Sequence, residues 1–232
     1  MAQETVIYHG SQNIIKKPVF GKGNPNNDYG LGFYCTHEMD LAKEWACTEE
    51  KSGYSNQYAL DLSGLSVMRL SGAGYNILNW LAVLLDNRIF RISSDIASEG
   101  KAYLLDKFLP DISKYDVIIG YRADDSYFSF ASAFLNNTLS LARLENAMYL
   151  GKSGEQTVLK SQKAFTQMHF IKSEAARHEI FYPMKSARDR EARLAYKRER
   201  GFKRAEESVY LMDILRERWD NDDTRIRRNI SI

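Results

Sequence analysis

The segments of this chain that read as strands are short, and helical stretches separate them in no regular order. Glu-Thr-Val-Ile-Tyr-His at 4–9 is rich in β-branched and aromatic residues and stops at Gly10-Ser11. Gly-Phe-Tyr-Cys-Thr at 32–36 is a second such run, and 57–62 alternates weakly as a third. Asp-Val-Ile-Ile-Gly at 116–120 is an apolar run between turn residues, which predicts a buried strand. Residues 157–160 and 169–172 complete the set. One-sided apolar patterns predict helices over 40–50, 76–90, 94–109 and 126–144, with a charged helical region from Pro183 to about Trp219. Residues 16–30, with Pro18, Pro25 and three glycines, predict a long irregular loop. Strands and helices in strict alternation would make a doubly wound sheet; this order predicts an α+β fold.

Size and composition narrow the class. The 232 residues suit one large domain or two small ones. At 44% hydrophobic and 27% charged, the chain is neither a disordered tail, a collagen nor a coiled-coil rod. Its longest mostly apolar run, 78–85, falls far short of the ~20 residues a membrane span needs. Met-Ala-Gln-Glu-Thr at the start carries no secretory pattern. Cys35 and Cys47 form neither a disulfide framework nor a zinc knuckle, and His37, His169 and His178 lack metal-ligand spacing. Lys22, within Gly-Lys-Gly, lacks the spacing of a phosphate-binding loop. The expectation is a cytoplasmic protein with no metal and no membrane partner.

Charge is uneven. Residues 185–204 hold nine basic and three acidic side chains, a balance of +6 within a chain whose total is +2, so the remainder carries −4. Such a segment reads either as a contact for nucleic acid or an acidic protein, or as a solvated, salt-bridged helix. Arg188, Arg193 and Arg200 wrap around a helix instead of lining one stripe, which suits a broad electrostatic contact.

Two motifs stand in order. Tyr8-His9-Gly10-Ser11 is followed about twenty residues later by Tyr29-Gly30-Leu31-Gly32-Phe33-Tyr34-Cys35-Thr36, and then by a helix with alanines and a tryptophan. The pair resembles the NAD-binding core of the ADP-ribosyltransferase superfamily, in the His-Tyr-Glu branch that includes poly-ADP-ribose polymerases and diphtheria toxin. Tyr115–Ser126 and Gln156–Phe165 extend the likeness to a bacterial family of unknown function assigned to that superfamily. Its members often look like the toxin half of toxin–antitoxin pairs.

The resemblance implies a split antiparallel core over 1–183, with helical insertions at 76–109 and 126–145 and a charged helical tail at 184–232. It implies NAD as substrate and release of nicotinamide. His9 would bond a ribose hydroxyl, though alone it reads as a histidine at a strand end. Gly10 would let its backbone approach the nicotinamide amide, with Ser11 beside it. Tyr34 would stack on the nicotinamide, or else be a core aromatic, and Tyr29 would supply a second face. In the branch the third position is a glutamate opening a strand. Here Gln156 falls in that phase and Glu155 is one residue early, so the two point to opposite faces. Arg122, Asp124 and Asp125 read either as a ligand-contacting loop or as a helix cap with Ser126. Trp45 and Trp80 read as core residues, and Cys35 as facing away from Tyr34.

The expected function is ADP-ribosyl transfer to a protein or nucleic-acid acceptor, with a cognate antitoxin protein as a further partner. Three rivals stand beside it: an NAD glycohydrolase, a weakly catalytic NAD or ADP-ribose binding module, and an interaction protein working through its basic tail.

Overall fold

The computed structural model describes residues 4–229 except 93, 124, 151–153 and 202–207. The chain is α+β, and it divides into two compact units. The first comprises the described residues of 1–69, 111–122 and 153–189, and the second those of 70–110, 123–152 and 190–232.

The first unit holds seven strands: β1 (Glu4–Ser11), β2 (Phe33–Cys35), β3 (Gly53–Asp61), β4 (Val67–Arg69), β5 (Val117–Tyr121), β6 (Glu155–Leu159) and β7 (Met168–Ala176). They form a three-stranded antiparallel sheet, β1-β3-β7, and a four-stranded sheet, β2-β6-β5-β4, in which only the β4–β5 pair is parallel. Alternation along each strand sends one set of side chains into a common core. Ile7, Tyr58 and Leu60 enter it from the first sheet, and Phe33, Cys35, Val117, Ile119 and Leu159 from the second. Cys35 therefore faces away from Tyr34, as expected.

The two sheets meet at one backbone bridge among the described residues. Tyr8 N donates to Thr36 O at 2.8 Å, and Thr36 N donates to Tyr8 O at 2.9 Å. Continued by two residues, that antiparallel register would set Gly10 opposite Tyr34, but the ladder opens there. His37 ties the sheets further, its ring bonding Val6 O at 3.0 Å and Thr157 Oγ1 at 3.1 Å.

Helix α1 (Met39–Ala46) lies across the outer face of β1 and β3. Its close approach requires two glycines. A Cβ on Gly10 would stand 2.0 Å from Ala42 O, and one on Gly53 2.4 Å from Ala46 O. Helix α1 begins after Glu38, not at Asp40; Thr36 Oγ1 accepts from Glu38 N at 3.2 Å.

The second unit is helical. Helices α2 (Ile77–Asn87) and α3 (Asp95–Phe108) match the expected segments and are capped by Asn76 and Ser94. The expected single helix over 126–144 is two, α4 (Asp125–Leu135) and α5 (Leu141–Leu150). Asn137, at φ 56°, ends α4: Thr138 N bonds Ala133 O and Asn137 N bonds Phe134 O, the paired bonds of a Schellman turn.

Among the short features that escaped prediction are β4, helix α6 (Gln162–Thr166) and the early start of helix α7 (His178–Gly201). Ser52 Oγ accepts from His178 N at 3.1 Å, so α7 is capped by a residue distant in sequence and runs through Pro183. Helices α8 (Leu211–Arg216) and α9 (Thr224–Asn229) follow. Among the described residues, no helix is long and apolar enough to cross a membrane.

Candidate functional site

The opening between β1 and β2 lies between two residues singled out from the sequence, Gly10 and Tyr34. Where Gly10 N would have bonded Tyr34 O, the His9 side chain takes the carbonyl instead, with Nδ1 at 2.7 Å. A carbonyl only accepts, so Nδ1 carries the proton. Burial pushes the His9 pKa below its ordinary value, against a smaller upward effect of that bond. The ring is therefore neutral at pH 7, with Nε2 an acceptor. It stacks on Phe33 with ring centres 4.2 Å apart. A half-buried, immobilised imidazole with an accepting nitrogen can take a hydrogen bond from a hydroxyl.

Gly10 contributes an edge. Tyr8 directs its backbone groups to β2, and alternation sends those of Gly10 to the same side, away from β3. The absent side chain is required by the packing of α1, which a Cβ would meet. Ser11 ends the strand, its Oγ accepting from Asn13 N at 3.2 Å.

Tyr34 and Gln156 share one face of the second sheet. Tyr34 pairs with Val158, and Gln156 lies two residues before Val158 on the same strand. Such a diagonal pair stands about 7–8 Å apart. Gln156 is buried, whereas Glu155 points the other way and is exposed. Of the two, Gln156 is thus the buried one, on the sheet face it shares with Tyr34. Its Nε2 donates to Asp28 Oδ2 at 2.9 Å and to Tyr121 O at 3.4 Å.

The loop before β2 is pinned onto this face. Tyr34 OH donates to Gly30 O at 2.5 Å and accepts from Tyr29 N at 3.1 Å. Gly30 adopts φ 71°, closing a turn onto Asn27 O, a conformation that favours glycine. Tyr29 is fully buried, and its OH donates to Tyr121 O at 2.7 Å. With no exposed ring face it anchors the loop and offers no second wall for a ligand. Lys160, its amine pushed down by burial, donates to Tyr29 O.

Two further residues belong here. Trp45, expected in the core, is only half-buried. Its Cβ lies 2.9 Å from where a Gly10 Cβ would stand, and Arg122 covers its ring at 4.3 Å. Its indole Nε1 is buried without a hydrogen-bond partner. Trp80, by contrast, is a core residue. Asp28, 5% exposed, had no motif to mark it; the only signal was its place one residue ahead of Tyr29-Gly30. Asp124 and the side chains of Asp125 and Ser126 lie outside the described residues.

The basic stretch is partly structural. Arg188 grips Glu44 of α1 with Nε at 3.1 Å and Nη2 at 2.8 Å, while Arg190 and Arg193 are exposed. Among the described residues, no group of three or more His, Cys, Asp or Glu is placed to hold a metal.

Residues 5–170 match the family described as protein of unknown function (DUF3990). The chain belongs to DUF3990. No curated protein and no solved structure matches. The family's span takes in β1 through the start of β7, and so every residue of the site above.

Proposed function

We propose that this DUF3990 chain transfers ADP-ribose from NAD to a protein or nucleic-acid acceptor and releases nicotinamide. The observation that carries the reading is the opened ladder at Gly10 and Tyr34. It leaves Gly10 N and Tyr34 O without the ladder bond between them, with the His9 ring on that carbonyl, and Gln156 lies on the sheet face of the Tyr34 side chain. A planar carboxamide suits the Gly10 edge and the Tyr34 ring; a ribose hydroxyl suits His9 Nε2. The two sheets parting at β1 and β2 also agree with the split core that the ADP-ribosyltransferase resemblance implies.

In this reaction the bond between the ribose C1′ and the nicotinamide nitrogen breaks. Its electron pair leaves with neutral nicotinamide, and positive charge develops on the ribose. A lone pair of the acceptor forms the new bond to C1′, and the acceptor's proton passes to solvent. Groups fixed before the reaction lower the barrier because they need not reorganise as charge develops. The resemblance further implies a bacterial cytoplasmic toxin held in check by an antitoxin.

The test is nicotinamide release from labelled NAD by wild type, His9→Ala and Tyr34→Ala. Wild-type turnover that both variants lose is expected; equal signals from all three would sink the assignment. One observation favours a second reading. Gln156 brings an amide where the branch has a carboxylate, which suits a module that binds NAD or ADP-ribose without turnover. Calorimetric binding with no nicotinamide release would select it.

A further inference from the structure

We infer that Asp28 supplies, through Gln156, the negative charge that the third position itself lacks. The inference rests on the transfer reading above. Asp28 and Gln156 are each at least nine-tenths buried, and the contact joining them spans 128 residues of sequence. The amide is held at two points, by the Asp28 carboxylate at 2.9 Å and by Tyr121 O at 3.4 Å. Both acceptors take the Nε2 side, which fixes the orientation of the amide plane. Oε1 is left as the group that can accept from a ribose hydroxyl.

An amide whose N–H donates to a carboxylate is polarised. Electron density shifts toward its oxygen, and in a low-dielectric site that effect is strengthened. The arrangement thus brings partial negative charge to the face shared with Tyr34 while the full charge stays one hydrogen bond back. Asp28 is itself immobile, since the turn carrying it is pinned by the Tyr29 and Tyr34 hydroxyls and by Lys160. Asp28 is therefore a positioning residue that acts through Gln156.

The geometry also changes what a carboxylate at position 156 would do. With Asp28 in place, Gln156→Glu sets two carboxyl groups about one hydrogen bond apart. They cannot both ionise freely, and one retains a proton. The single variant is expected to be impaired. Asp28→Asn removes the charge and keeps the shape. The double variant Asp28→Asn/Gln156→Glu restores one amide–carboxylate pair with the charge moved to the ribose side.

The experiment measures nicotinamide release and NAD binding for wild type, both singles and the double, with circular dichroism and melting as folding checks. Asp28→Asn is expected to lose about ten-fold or more in kcat while NAD binding stays within a few-fold. The double variant is expected to return to within a few-fold of wild type or to exceed it, which a purely structural role for Asp28 does not predict. If Asp28→Asn turns over like wild type, or the folded double is as slow as Asp28→Asn, the inference is overturned. If Asp28→Asn does not fold, the double variant alone decides by the same criterion. Wild type that neither binds NAD nor releases nicotinamide overturns the functional reading, and this inference with it.

Discussion

Removing the Arg188 side chain will destabilise the chain through a buried charge. Glu44 lies in α1 with its side chain 2% exposed, and Arg188 holds both its oxygens from α7. Taking away one partner of a buried pair strands the other, at a cost of about 3–5 kcal/mol. The guanidinium is itself 23% exposed, so water can reach the vacated position and soften the loss. About 2–4 kcal/mol is then expected for Arg188→Met, a fall in Tm of about 4–16 °C for a chain of this size. The assay is thermal unfolding of wild type, Arg188→Met, Glu44→Gln and the double variant. Because the double no longer buries an unpaired carboxylate, it should melt above Arg188→Met. A fall of less than about 2 °C, or strictly additive single effects, would refute the buried-charge argument. Truncation after Pro183 removes Arg188, so it should destabilise α1 through Glu44.

Gly10→Ala should be costlier than an exposed glycine change, by about 1–3 kcal/mol, because the new methyl meets the α1 backbone. Melting measures the cost; on the transfer reading proposed above, nicotinamide release should fall with it as α1 and Trp45 shift. His9 titrates lower in the folded chain than in the unfolded one, since burial disfavours its charge. The unfolded state therefore takes up its proton first, and stability is lost as pH falls below 6.5. His9→Gln should flatten that slope in denaturant titrations at several pH values. Glu145, buried in α5, has its carboxyl pushed up to about 7 by desolvation. The folded state holds that proton more tightly, so stability declines as pH rises from 4.5 toward 7. Glu145→Gln should raise the Tm at pH 8 and leave it nearly unchanged at pH 4, with an upper bound of about 3 kcal/mol.

Local pattern was enough for much of this protein. The β-branched run at 4–9, the apolar run at 116–120 and the periodic faces of α2 and α3 each carry their own structure, because burial of one face demands that spacing. The same logic put Gln156 and Glu155 on opposite faces, since neighbours on a strand cannot face one way, and only the fold showed which is buried. The paired motifs around His9 and Tyr34 were legible for the same reason: each is a short strand whose residue order sets which side chain turns where. Asn136-Asn137 also carried a readable stop for α4, which the apolar pattern on either side concealed.

What depended on distant partners was not legible. Helix α7 starts at His178 because Ser52, far away in sequence, caps it, and no local signal replaces that contact. Gly10 reads from the sequence as room for a ligand, whereas the helix lying across it is what requires the missing Cβ. Trp45 looked like core by its helical phase, but phase alone does not say that Arg122 covers it. Asp28 belongs to no motif, and only the folding of its loop onto β6 brings it to Gln156. Sequence periodicity determined which residues face inward. Tertiary packing decided which of those inward residues meet, because contacts between residues 28 and 156 or 44 and 188 exist only once the sheets and helices have closed.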